Sequence, residues 1–250
     1  MKPINLFITF CWVVLLSSCL PQGPSSKVQL ASQGIYSAAI DVAGKSAVVG
    51  SYLHGGSYWD LEKKGRSFNW NHREGYLTEI LYSNISSGGR YAITANYFNL
   101  VLWDTTTGQS VWFWSAPAKI EAVALSADGR FAVLGLANNS ALLFDIKNGG
   151  LLREFTHQGP VVSVALNIDA GIVLTGSEDT TARLWNINDG TLVQEFKFSN
   201  QVTLLALSPS GKKALIVPAN EKGEIWNLKS RKKISTLRTA KFRLYSGRFV

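Results

Sequence analysis

The chain has 250 residues, of which 46% are hydrophobic and 17% charged; this excludes wholesale disorder and leaves room for one large domain or two modest ones. Its two cysteines, Cys11 and Cys19, lie near the N-terminus, so the body holds no thiol for a disulfide framework, a redox pair or a thiolate metal centre. The formal charge of +8 is uneven: residues 212–250 carry eleven Lys and Arg against Glu221 and Glu224, a net +9 that leaves −1 for residues 1–211.

Met1-Lys2 opens the chain with a cation, and Leu6 to Leu16 form an apolar run of eleven. Small polar residues and Cys19 follow, which is the grammar of an export signal and too short for an ordinary membrane span. Leu16-Ser17-Ser18-Cys19 resembles the bacterial lipobox. That resemblance implies a signal peptide over residues 1–18 and a lipidated Cys19, carrying diacylglycerol and an N-acyl chain as the first mature residue. Several acyl chains suffice for stable membrane attachment. Leu20 rather than Asp follows the cysteine, which by resemblance to enterobacterial sorting points to the outer membrane of a bacterial cell envelope. Residues 19–26, rich in Pro, Gly and Ser, read as a flexible tether.

Residues 27–250 are dominated by a repeat. An aromatic followed by Asp or Asn recurs at Trp59, Trp103, Phe144, Trp185 and Trp226, with spacings of 44, 41, 41 and 41. Thr107-Gly108, Asn148-Gly149 and Asp189-Gly190 mark a turn five residues after the aromatic's dipeptide begins, and Ser230-Arg231 is its weakest copy. Asp128-Gly129, Asp169-Ala170 and Ser210-Gly211 form a second turn series, and Ala124-Leu125, Ala165-Leu166 and Ala206-Leu207 an apolar one. Each unit reads as four short strands, in the fourth unit about 161–166, 171–176, 181–186 and 191–196. One such sheet cannot bury both faces alone, whereas stacking the units around an axis can.

On these residues the chain resembles the WD-repeat β-propeller family, over about residues 35–240. The fold class expected is therefore all-β, a propeller of four-stranded antiparallel blades. The fourth unit, Thr156-His157-Gln158-Gly159 through Trp185-Asn186, matches best. In that family a buried His, Ser or Thr, Asp and Trp join strands and turns by hydrogen bonds, and the resemblance maps these onto His157, Thr175, Asp179 and Trp185. The other units depart from it, with Leu53, Tyr97, Asn138 and Asn220 at the Asp position. His72 holds a His-like position without an Asp partner, so those blades are expected to rely mainly on packing.

About five complete units and part of a sixth fit into residues 27–250. Lys27 to Leu30 suit an outer strand, and Phe242 to Val250 begin another unit. Either the chain is an interrupted form of a longer propeller, or it closes as a small irregular ring or with a partner chain.

No nucleophile elbow, zinc-protease motif, P-loop or dinucleotide fingerprint is present, and the acidic residues are spread singly. The expectation is a non-enzymatic scaffold with no catalytic site, cofactor or metal. It would be anchored to the membrane by its N-terminal lipid and would present loops to a protein partner. Candidate anchors are Tyr97 and Phe98, between the second and third strands of the second unit, and His72, Arg73 and Tyr76, in the loop leading into it. His54 lies in the matching loop of the first unit. The basic cluster Lys229, Arg231, Lys232 and Lys233 is either a solvated turn or a face for anionic lipid or an acidic partner; nucleic acid is not expected for an exported chain. Two alternatives are an outer-membrane assembly factor acting by strand addition and, least favoured, a propeller enzyme.

Overall fold

The computed structural model describes residues 34–52, 54–72, 78–237, 247 and 249. The signal segment, Cys19, the tether, Lys27 to Leu30, Leu53, Arg73, Tyr76 and most of residues 242–250 lie outside the described residues.

Among the described residues there is no helix, and twenty strands form five antiparallel sheets of four. The first sheet is β1 (Ile35–Ile40), β2 (Ser46–Ser51), β3 (Gly55–Asp60) and β4 (Gly65–Trp70). The second is β5 (Tyr82–Ile85), β6 (Tyr91–Ala95), β7 (Asn99–Asp104) and β8 (Ser110–Ser115). The third is β9 (Ile120–Leu125), β10 (Phe131–Leu136), β11 (Ser140–Asp145) and β12 (Gly150–Thr156). The fourth is β13 (Val161–Asn167), β14 (Ile172–Ser177), β15 (Thr181–Asn186) and β16 (Leu192–Lys197). The fifth is β17 (Val202–Leu207), β18 (Lys213–Pro218), β19 (Glu224–Asn227) and β20 (Lys232–Thr236). Strand order follows chain order in every sheet, as short turns require.

The repeat aromatics all fall on third strands: Trp59, Trp103, Phe144, Trp185 and Trp226 lie on β3, β7, β11, β15 and β19. In each sheet the pairing of third with fourth strand shifts register at that aromatic, which marks a bulge. A bulge bends and twists the outer strand, so five copies give every sheet the same curl. The turn that follows needs a left-handed residue. Gly108, Gly149 and Gly190 supply it with φ of 74°, 72° and 76°, and Arg231 takes the same position at 57°. A Cβ on Gly108 would lie 2.5 Å from the Phe68 ring. In the second turn series the left-handed residue of the fourth sheet is Gly171, one place beyond Ala170, where an extra strand pair, Asn167 with Ile172, shortens the turn.

The first strands β1, β5, β9, β13 and β17 lie side by side in chain order, and apolar clusters fill each space between consecutive sheets. Ring pairs mark each of these joints. The last aromatic of one sheet's outer strand meets the third-strand aromatic of the next sheet. Trp70 stacks on Trp103 at 5.1 Å, Trp114 meets Phe144 at 4.6 Å, Phe155 stacks on Trp185 at 5.2 Å and Phe196 meets Trp226 at 5.0 Å. In the fifth sheet Leu237 holds the donor position, with Phe249 beside it against Ala206, Leu215 and Val217. Among the described residues Trp59, the first acceptor, meets no ring from another sheet and carries the Arg66 guanidinium at 5.8 Å instead. This is a β-propeller architecture of about five blades.

Candidate functional site

The four residues mapped from the fourth unit come together. His157 follows β12, where its N–H donates to the Asn139 carbonyl at 2.8 Å; Thr175 is on β14, Asp179 in the next turn and Trp185 on β15. An indole N–H can only donate, so Trp185 Nε1 gives its proton to Thr175 Oγ1 at 2.8 Å. The Thr175 hydroxyl, 2.7 Å from His157 Nε2, donates to that nitrogen. His157 then carries its proton on Nδ1 and donates to Asp179 Oδ2 at 2.9 Å. Burial pushes the imidazole below its ordinary pKa despite the carboxylate beside it, in keeping with a neutral ring.

Asp179 is the hub of this relay. It also accepts from the N–H groups of Gln158 and Thr181, each at 2.9 Å, and from the Thr181 hydroxyl at 2.7 Å. Burial alone would raise its pKa. The hydrogen bonds from Thr181, Gln158 and His157 outweigh that and hold it at about 2. The arrangement fixes a tight turn to the segment entering the sheet. With a neutral histidine whose two nitrogens are both engaged, it offers no free base.

A second relay, which sequence reasoning missed, lies in the second sheet. Trp103 Nε1 donates to Thr94 Oγ1 at 2.8 Å, and His72 Nε2 lies 2.9 Å from the same hydroxyl. The turn that would supply the carboxylate carries Tyr97 and Phe98, and His72 Nδ1 is buried without a hydrogen-bond partner. Burial pushes His72 down to about 4. The other two third-strand indoles bond within their own strands, Trp59 to Ser57 Oγ and Trp226 to Glu224 Oε2, both at 2.9 Å. Three of the four blades without the full set therefore keep a hydrogen-bonded indole on the third strand, and the third blade carries Phe144 there instead.

His72 yields a test by pH. A histidine whose folded pKa lies below its unfolded value takes up a proton more readily when unfolded. Stability should thus fall as pH drops from about 6.5 towards 4, and level off below that for this residue. His72→Gln should flatten this slope, His157 and the carboxylates held below their ordinary range supplying what remains. Urea midpoints at stepped pH would check it, and an unchanged slope would contradict the assignment.

Tyr97 and Phe98 stand at 43% and 52% exposure on a turn braced by Asn96, whose Oδ1 accepts from the N–H groups of Phe98 and Asn99. His72, by contrast, is half-buried and turned to Thr94. The structure adds Tyr36 and Tyr52 to the exposed group. Both are exposed, and their rings meet edge to face at 6.0 Å. Strand order could have indicated them: the start of a first strand, the end of a second and the turn into a third share one end of a meander. Of the basic cluster, Lys233 pairs with Glu224 at 2.8 Å and Arg231 closes a turn, while Lys229 and Lys232 are exposed. Among the described residues no group of three or more His, Cys, Asp or Glu is placed to hold a metal ion.

Five repeated four-stranded sheets, joined face to face and in two cases tied by an indole–hydroxyl–imidazole relay, fit a propeller of the WD-repeat type. Residues 149–186, which span the outer strand β12 of the third sheet, β13 to β15 of the fourth and all four relay residues, match the family described as WD domain, G-beta repeat. No curated protein matches the chain. Propellers of this type generally serve as protein-interaction scaffolds.

Proposed function

We propose that the chain is a lipid-anchored scaffold of the bacterial cell envelope that holds a partner protein at the Tyr97–Phe98 end of its sheets and catalyses no reaction. The observation that carries this reading is the gathering of exposed aromatics, Tyr36, Tyr52, Tyr97 and Phe98, at one end of a rigid sheet stack. Tyrosine and other aromatics with polar edges are frequent interface anchors, and loops held by a sheet scaffold are where binding residues concentrate. The anchor rests on Leu16-Ser17-Ser18-Cys19, and the outer membrane on Leu20 after the cysteine.

A photo-crosslinking residue at Phe98 in intact cells should give a discrete protein adduct, and the same residue at Phe113, exposed on the outer strand β8, should not. Cys19→Ser should abolish incorporation of labelled palmitate and release the protein from the membrane fraction. Equal adducts at both positions would count against the binding end, and a Cys19→Ser protein that keeps its label would count against the anchor.

A further inference from the structure

The exposed aromatic end contains one carboxylate–tyrosine unit that already holds a cation. Lys119 Nζ lies 5.1 Å from the centre of the Tyr97 ring and 2.8 Å from Glu121 Oε1. Glu121 is steadied in turn by the Tyr82 hydroxyl, 3.5 Å from its other oxygen. Ring face, ammonium and carboxylate form a set in which the quadrupole and the charge both favour the cation.

A second unit of the same composition stands at the next corner. Tyr36 and Tyr52 meet at 6.0 Å and are 53% and 39% exposed. The Ile80 N–H donates to the Ser51 carbonyl at 3.4 Å, which brings Glu79 to the neighbourhood of Tyr52, and the Tyr52 N–H donates to the Gly34 carbonyl at 3.0 Å, close to Tyr36. The Tyr36 hydroxyl has its pKa raised, first by desolvation and then by the negative charge of Glu79, with Tyr52 and Tyr97 adding to it. Among the described residues no lysine or arginine pairs with Glu79 or covers the Tyr36 or Tyr52 ring, although Lys119 fills the matching place over Tyr97.

We infer that the Tyr36–Tyr52–Glu79 corner receives a lysine or arginine side chain from the partner protein, seated as Lys119 is seated on Tyr97 and Glu121. This rests on the scaffold reading and names the chemistry of its partner. The chain's overall charge of +8 acts against any cationic ligand, so uptake of one reports a local site and not a general attraction. The excess positive charge lies in residues 212–250, outside the stretch of sequence that forms the first sheet and carries the corner.

The probe is a fluorescein-labelled Gly/Ser peptide with paired central arginines, titrated with the full chain and read by anisotropy, beside a counterpart with paired glutamates. The arginine peptide should bind and the glutamate peptide should not. Tyr36→Ala and Glu79→Gln should each weaken binding roughly tenfold, while Tyr36→Phe, which keeps the ring, should weaken it by no more than about threefold. Phe113→Ala should change nothing. The inference is overturned if the arginine peptide fails to bind, if it binds Tyr36→Ala and Glu79→Gln as tightly as the parent, or if the glutamate peptide binds as tightly as the arginine one. An adduct at Phe98 that persists unchanged in Tyr36→Ala and Glu79→Gln would sink the cation site alone. Loss of a specific Phe98 adduct from the parent protein would sink the scaffold reading beneath it.

Discussion

Asp179→Ala is expected to lower the unfolding free energy by about 3 kcal/mol, the loss typical of a buried polar network deprived of its acceptor. The carboxylate accepts four hydrogen bonds, from His157 Nδ1, the N–H groups of Gln158 and Thr181, and the Thr181 hydroxyl. Alanine would leave the His157 N–H, in a side chain with no solvent exposure, only the longer contact to the Thr181 hydroxyl at 3.2 Å. Asp179→Asn keeps one acceptor oxygen and should cost about half as much. Urea unfolding followed by tryptophan fluorescence would measure both. The folded pKa of about 2 lies below the ordinary 3.8, so the carboxylate's extra contribution is fully present above pH 4 and is lost as pH falls through 2. The gap between wild type and Asp179→Ala should therefore narrow in acid. A gap that widened, or a variant within about 0.5 kcal/mol of wild type at neutral pH, would show that the turn stands without its hub.

Trp70→Ala should cost about 4 kcal/mol, within the range for deleting a large buried aromatic. Trp70 is only 1% exposed, lies nearly coplanar with Trp103 at an interplanar angle of 7°, and donates its indole N–H to the Gly108 carbonyl at 3.0 Å. Alanine would open a cavity between the first two sheets and orphan that carbonyl. Leu237→Ala, at the equivalent place in the fifth sheet, removes a half-buried aliphatic side chain where the other sheets have a ring, and should cost about 1 kcal/mol. Similar losses from the two substitutions would mean that the ring pairs do not carry the joints. Chemical denaturation of the pair of variants side by side would decide this.

The third-strand aromatics were legible in the sequence because their spacing of 41 coincides with glycine turns, and a glycine at positive φ leaves a readable mark. The fourth unit's strands fell within a residue or two of their expected places for the same reason. The donor rings Trp114, Phe155, Phe196 and then Leu237 keep the identical period of 41, yet they change residue type and have no turn beside them. What selects them is volume against a neighbouring sheet, which a single sheet's pattern does not express. The first relay was legible because all four residue types are present. The second was only half so. His72 could be placed, but Thr94 sits in an ordinary strand and the missing carboxylate hid its purpose. Tyr36 and Tyr52 escaped notice because their meaning depends on which strand ends share one side of the stack.

The ring pairs also give the row a direction. Each donor precedes its acceptor in the chain, Trp70 before Trp103 and Phe155 before Trp185, so on a ribosome every new sheet emerges to find a finished template waiting. A load applied at the C-terminal end would meet the joints in the opposite order, peeling the youngest sheet first and sparing those made before it.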